Sequence, residues 1–341
     1  MFKIKTLKLA WFVALLGLAV LWPKTTQAID IEKIGIHVLS PAEFGPAKTM
    51  LSVQQSNDRY QYVTLPVSIS APLDCSSIQQ TLTLAQDNKL VPLVRLTTKF
   101  EDGAWQIPTK RELVEAIDCL ARVQWPTDQR HLIIFNEVNH APEWGGRLGP
   151  ASYAQILQFA SAWAHTSSSE FVVMPAAMDL AAPDGATTQD AFRYLTAMHQ
   201  AEPELFDQID AWNSHSYPNP GFVGSPQDTG RTSLRGYQHE LAFLSQKLDV
   251  SKDLPVYITE TGWRATRFNS DKLASYYQYA SHYIWSDPRV VAVTPFVLQG
   301  APGPFAEFSF LNEGQPTDQY RALQKMITAL RHGENQLAWL R

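Results

Sequence analysis

The sequence has no run of lysine or arginine: 28 basic side chains are dispersed among 33 acidic ones, for a formal net charge of −5. Without a basic stripe nothing is positioned to neutralise a phosphate backbone, which argues against a nucleic-acid partner. A glycine-rich phosphate cradle is missing too. Neither G-x-G-x-x-G nor a P-loop string occurs, so the usual first turn of an open nucleotide-binding sheet is lacking. Cysteine is scarce, with only Cys75 and Cys119, and no Cys/His spacing suits zinc. No metal or other cofactor is implied. Internal repeats, low-complexity tracts and a linker to a second domain are likewise absent from the sequence.

Long apolar runs are also few. The longest N-terminal one, Leu9 to Trp22, is about 14 residues, short of the roughly 20 that a spanning helix needs. Lys3, Lys5 and Lys8 precede it and Thr26-Gln27-Ala28 follows, the pattern of a secretory signal peptide over 1–28 cleaved after Ala28. An uncleaved anchor is the alternative, and only then would the protein contact a membrane. Either way the domain over 29–341 is expected outside the cytoplasm, secreted, periplasmic or extracellular. Export permits a disulfide. However, Cys75 falls at the start of one expected helix and Cys119 late in the next. In parallel helices that offset exceeds disulfide geometry, so two unpaired, buried thiols are expected.

From Ile31 onward, short apolar β-branched runs alternate with helical patterns. Strands are expected at Lys33–Leu39, Tyr62–Ile69, Leu90–Thr97, His131–Val138, Phe171–Ala177, Ile209–His215, Pro255–Glu260 and Val290–Leu298. Helices are expected near 74–88, 110–123, 152–166, 189–200, 232–248, 270–285 and 317–331, while the first connection is not clearly helical. Eight strands alternating with helices predict an α/β fold, a single (β/α)8 barrel with a parallel sheet.

In such a barrel the C-terminal ends of the strands converge on one mouth. The residues that fall there are His37, Arg95, Asn136, Glu137, Asp179, Asn213, His215, Tyr217, Glu260, Trp263 and Gln299, with Trp105, Trp144 and Phe305 on the loops. Glu137 ends Ile133-Ile134-Phe135-Asn136-Glu137 and Glu260 ends Tyr257-Ile258-Thr259-Glu260, two apolar strands each closed by an ionisable residue. Charged groups are seldom buried without a partner. On strands four and seven, across the barrel from one another, these two glutamates can approach over the mouth, and a carboxylate pair is what hydrolysis of a glycosidic bond requires. Trp144, in Glu143-Trp144-Gly145-Gly146, and Trp263 are expected as sugar platforms. Glu143 competes for the acid role from a loop.

Asn136-Glu137 after strand four, His215-x-Tyr217 after strand six and Thr259-Glu260 after strand seven resemble the (β/α)8 retaining glycoside hydrolases, a superfamily that includes cellulases, xylanases, β-xylosidases and endo-β-1,3-glucanases. The resemblance covers about Ile34 to Leu330. It implies a β-linked oligo- or polysaccharide substrate, with Glu137 as acid/base, Asn136 on the sugar 2-hydroxyl, Glu260 as nucleophile, Tyr217 bonded to it and His215 in the same subsite. Two features depart from the pattern. Strand two offers no arginine, for which Arg95 on strand three is the substitute, and Val297-Leu298-Gln299-Gly300 lacks the usual tryptophan, leaving Phe296, Gln299 or Phe305 in its place. A barrel that binds carbohydrate with little or no turnover is the alternative function. A metal-dependent hydrolase ranks behind both, because Gly35-Ile36-His37-Val38 supplies one histidine where two are usual. The protein is expected to be a monomer.

Overall fold

The computed structural model describes residues 28–52 and 59–332. The proposed leader, apart from Ala28, and the tail after His332 lie outside them. Eight parallel strands carry the barrel: β1 (Ile36–His37), β2 (Gln61–Ser68), β3 (Leu90–Thr97), β4 (Arg130–Ile134), β5 (Phe171–Pro175), β6 (Trp212–His215), β7 (Val256–Glu260) and β8 (Val290–Val293). Each expected strand is present. Strands one to five form one sheet and six to eight a second, in sequence order. The seams are single parallel bridges, Ile34 with Val293 and Asp179 with His215. At the first seam a Cβ on Gly35 would stand 2.1 Å from the Tyr62 carbonyl oxygen, so only glycine permits that approach.

Helices follow the strands: α1 (Phe44–Leu51), α2 (Cys75–Asp87), α3 (Lys110–Arg122), α4 (Pro150–Ser167), α5 (Ala191–Ala201), α6 (Gly236–Lys247), α7 (Ser270–Tyr283) and α8 (Asp318–Arg331). Their starts follow capping chemistry. Asp74 accepts from the backbone N–H groups of Ser76 and Ser77, and Thr109 with Glu112 closes a capping box. The cap of α7 is Asn269, which accepts from Lys272 N–H. Helix α1 lies in the first connection, where no clear helix was expected. It is short, carries Pro46 in its first turn where proline is tolerated, and buries Phe44, Ala47, Met50 and Leu51.

Cys75 and Cys119 are bonded to one another, with Cα atoms 5.7 Å apart, against the expectation of two free thiols. The two helices do run parallel, but they are staggered. The Gln79 carboxamide oxygen accepts from Gln124 N–H at 2.8 Å, so the first turn of α2 lies beside the last turn of α3. Cys119, about 14 Å along α3 from its start at 1.5 Å per residue, is thereby level with Cys75.

The barrel interior is layered. Leu93, Ile133, Met174, Ala211, Tyr257 and Ala292 form a separate apolar cluster with Tyr62 beside it. Above it the lining turns polar. Thr64 and Thr294 hydroxyls meet at 2.7 Å, Thr294 donates to the Thr259 carbonyl, and Thr259 donates to Asn213. These side chains are fully buried, and their mutual bonds offset the cost of leaving water. The floor beneath the mouth is therefore fixed by cross-strand hydrogen bonds. Among the described residues no helix is long and apolar enough to cross a membrane.

Candidate active site

A cavity of about 430 Å³ opens at the C-terminal end of the strands and contains Arg95, Asn136, Glu137, Glu143, Asp179, Tyr217 and Glu260 in its lining. Glu260 is the last residue of β7 and its side chain is 9% exposed. Arg95 Nη1 lies 2.5 Å from its Oε1, the Tyr217 hydroxyl donates to Oε2 at 3.1 Å, and His215 Nδ1 stands 3.8 Å from Oε2. Burial alone would raise the Glu260 pKa. The charges of His215 and Arg95, with the Arg95 hydrogen bond, outweigh it and hold the carboxyl well below its ordinary range. His37 lies 3.5 Å from Oε1, but burial and Arg95 push its own pKa down to about 3. It is a neutral neighbour at pH 7, so the positive charge beside Glu260 comes from Arg95 and from the protonated form of His215. Tyr217 is pushed far above the usual phenol by burial and by the Glu260 and Glu137 charges, and stays a donor.

Glu137 follows β4 in a tight turn. Its φ is 27° and that of Phe135 is 72°, left-handed values that cost about 1–3 kcal/mol each and cluster at functional sites. The carboxylate is more open than that of Glu260, with the side chain 25% exposed, and His215 Nδ1 contacts its Oε1 at 2.8 Å. One oxygen of Glu137 and one of Glu260 lie within 4.8 Å of each other. Burial opposes a charge on His215, but Glu260 and the bond to Glu137 win, and its pKa is raised. One imidazole thus faces both carboxylates, and each of them favours its protonated form.

Asn136 Oδ1 accepts from Arg95 Nη1 at 2.7 Å, and its side chain lies close enough to favour the Glu143 anion. Glu143 closes the 3-10 turn Ala141–Glu143. Burial, and then the charge of Glu137, push its pKa up to about 7. Beside it Asp179 holds His140 at 2.9 Å. That bond raises His140 and, against burial, lowers Asp179. Glu137 and Asp179 each have a histidine partner and Glu260 has Arg95, whereas Glu143 has no ion-pair partner among the described residues.

The structure thus brings His37, Arg95, Asn136, Glu137, Asp179, His215, Tyr217 and Glu260 to one mouth, with Trp105 at its edge. Three expected sugar contacts lie elsewhere. Trp144 is 1% exposed; its indole N–H donates to Ser152 and its ring packs on Phe135 and Tyr153. Trp263 is fully buried, donating to the Gly224 carbonyl and packing on Tyr276 and Tyr277. Both indoles staple loops to the scaffold and offer no face to a ligand. Gln299 is exposed and outside the cavity lining. Asn213 sits below the mouth, donating to the Pro175 carbonyl. The aromatic surface that does line the cavity is Trp105, Phe135, Tyr217, Phe222, Phe296, Phe305 and Phe308. Trp105 is delivered by a hairpin pairing Phe100–Glu101 with Ala104–Trp105, whose turn residues Asp102 and Gly103 both have positive φ, the Asp-Gly turn that matches strand twist.

Glu137, His215 and Glu260 bring one donor atom each within 4.8 Å of the others, a spacing that could hold an ion. Arg95 already sits on Glu260 at 2.5 Å, and its charge disfavours a second cation there.

No protein-family model and no curated protein sequence matches the chain. Solved structures do. A monomeric β-xylosidase from Caulobacter crescentus CB15 is 15% identical over 89% of this chain and 69% of its own, with a TM-score of 0.61. A glucosidase from Croceicoccus marinus is 11% identical over 89% and 68%, with a TM-score of 0.64. An endo-β-1,3-glucanase from Pseudomonas viridiflava is 17% identical over 85% and 96%, with a TM-score of 0.51. These neighbours are glycoside hydrolases, and what the chain shares with them is the (β/α)8 barrel.

Proposed function

We propose that the protein is a glycoside hydrolase that cleaves β-glycosidic bonds by double displacement, with Glu260 as nucleophile and Glu137 as acid/base. The observation that carries this reading is the approach of the two carboxylates, one oxygen of each within 4.8 Å of the other. Retaining enzymes hold their carboxyls about 5–5.5 Å apart, and inverting ones leave room for water at roughly 6.5–9.5 Å. The environments divide the roles. A nucleophile must be ionised, and Arg95, Tyr217 and His215 favour the anion of Glu260. A proton donor must reach solvent to be recharged, and Glu137 is the more open of the pair.

In the first step Glu260 attacks the anomeric carbon while Glu137 gives its proton to the departing oxygen. In the second, Glu137 takes a proton from water, the hydroxide attacks the anomeric carbon, and the ester to Glu260 breaks. Arg95 and Tyr217 release charge density from Glu260 as the ester forms and recover it on hydrolysis. Asn136 is assigned to the sugar 2-hydroxyl. The leader pattern over 1–28 supports a reaction outside the cytoplasm.

Purified protein should hydrolyse members of a panel of aryl β-glycosides and β-glucans, and proton NMR of the first-formed sugar should show the β anomer. An α product seen before mutarotation would overturn double displacement.

Glu143 bears on the same step. Above about pH 7 it carries a charge in the cavity beside Glu137. Glu143→Gln removes that titration, so an inflection of kcat/KM near pH 7 in the wild type should be missing from the variant. The same inflection in the variant would take Glu143 out of the step.

A further inference from the structure

Two walls of the cavity differ in kind. One carries Asn136, Glu143 and Asp179, all able to meet a sugar's hydroxyls, with the rings of Phe135 and Trp105 set among them. The other is an arc of rings from the loops after β6 and β8. Tyr217 meets Phe222 with centroids 5.0 Å apart, Phe222 meets Phe308 at 5.1 Å and Phe296 meets Phe305 at 5.0 Å, every pair edge to face. The polar atom of this arc is the Tyr217 hydroxyl, already donated to Glu260. Glu307, between Phe305 and Phe308, is spent on Arg264 at 3.1 Å and Thr266 at 2.9 Å.

A pyranose has hydroxyls around its rim. Setting that rim against the arc would strip water from them with no donor or acceptor in exchange, which is unfavourable. A hydrocarbon group loses nothing there and gains from burial. The mouth edge points the same way: Phe305 is 42% exposed and Leu39 39%, two large apolar side chains in water beside a cleft of ligand size.

We propose that the ring arc holds an apolar aglycone, so that the preferred substrates are β-glycosides of alkyl or aryl alcohols rather than polysaccharides. This rests on the glycosidase reading above and names the substrate class of that site. The polar wall grips the glycone, the carboxylate pair stands at the bond, and the hydrocarbon lies along Phe222, Phe305 and Phe308.

The experiment is a series of methyl, butyl, hexyl and octyl β-glucosides and β-xylosides, each below its micelle concentration, alongside the matching β-linked oligosaccharides. Simple alkanols leave with similar intrinsic ease, so the series reads burial of the chain. The expected result is a rise in kcat/KM of roughly twofold to fourfold per methylene until the arc is covered. The octyl-to-methyl ratio should fall at least tenfold in Phe305→Ser, a change at a half-exposed site, and in Phe222→Ser. A flat alkyl series with efficient oligosaccharide cleavage would overturn the aglycone and leave the glycosidase intact. An unchanged octyl-to-methyl ratio in both variants would place the chain elsewhere and overturn the arc. No hydrolysis of any glycoside by the wild-type protein would overturn both readings.

Discussion

Glu260→Gln should lower kcat/KM by about 10⁵-fold or more while the protein stays folded, the scale of loss that follows removal of a covalent nucleophile. Glutamine preserves volume and can still accept from Tyr217, 3.1 Å away. It cannot form a glycosyl ester that turns over. Arg95 loses its anionic partner but keeps Asn136 at 2.7 Å, so the buried guanidinium is not left bare. Two measurements separate chemistry from collapse. Thermal unfolding should remain cooperative, with a midpoint near that of the wild type. A 2-deoxy-2-fluoro aryl glycoside should label the wild-type peptide that contains Glu260 and leave the variant unlabelled. Label on another residue, or a variant retaining more than a hundredth of wild-type turnover, would remove Glu260 from the role.

The strand-borne part of the site was legible because a strand dictates where its end points. Short β-branched runs marked β1 to β8, and parallel closure then carried Arg95, Asn136, Glu137, His215 and Glu260 to one rim whatever the loops did. Arg95 belongs to β3, as the sequence placed it, and its contact with Glu260 at 2.5 Å gives physical content to the missing arginine on β2. Loop residues obey no such rule. Trp144 and Trp263 looked like platforms because exposed indoles are costly, yet that same cost is met by burying them, each with its N–H satisfied. Nothing local distinguishes the two outcomes. The disulfide was missed for a related reason. The stagger of α2 against α3 is set by the loops that launch them, including the hairpin at Phe100–Trp105, and not by helical periodicity. One signal was only partly used: Phe308 and Phe310 follow Phe296 and Phe305, already placed at the mouth, in a short stretch after β8, a density of apolar rings that a solvent loop does not need.

Glu137→Gln should divide its effect between substrates in a way that Glu260→Gln does not. With an alkyl glycoside the departing alkoxide needs the proton, and loss of general acid catalysis should cost about 10³–10⁴-fold in kcat/KM. With a dinitrophenyl glycoside the leaving group needs no proton. Attack by Glu260 then proceeds at near its usual rate, and the second step stalls because no base activates water. A burst of one phenolate per enzyme followed by a slow steady state is the expected trace. Azide, which needs no deprotonation, should restore turnover in Glu137→Ala, where the shortened side chain leaves space. It attacks the ester on the face that water would have used, so the product is the β-glycosyl azide. The corresponding Glu260→Ala variant has no ester to intercept, and direct attack by azide would give the α product. The half-buried position of Glu137, 25% exposed against 9% for Glu260, is what lets small anions reach that face. Equal losses for alkyl and dinitrophenyl glycosides, with no azide rescue, would mean that Glu137 is not the proton carrier and would return Glu143 to contention for the role.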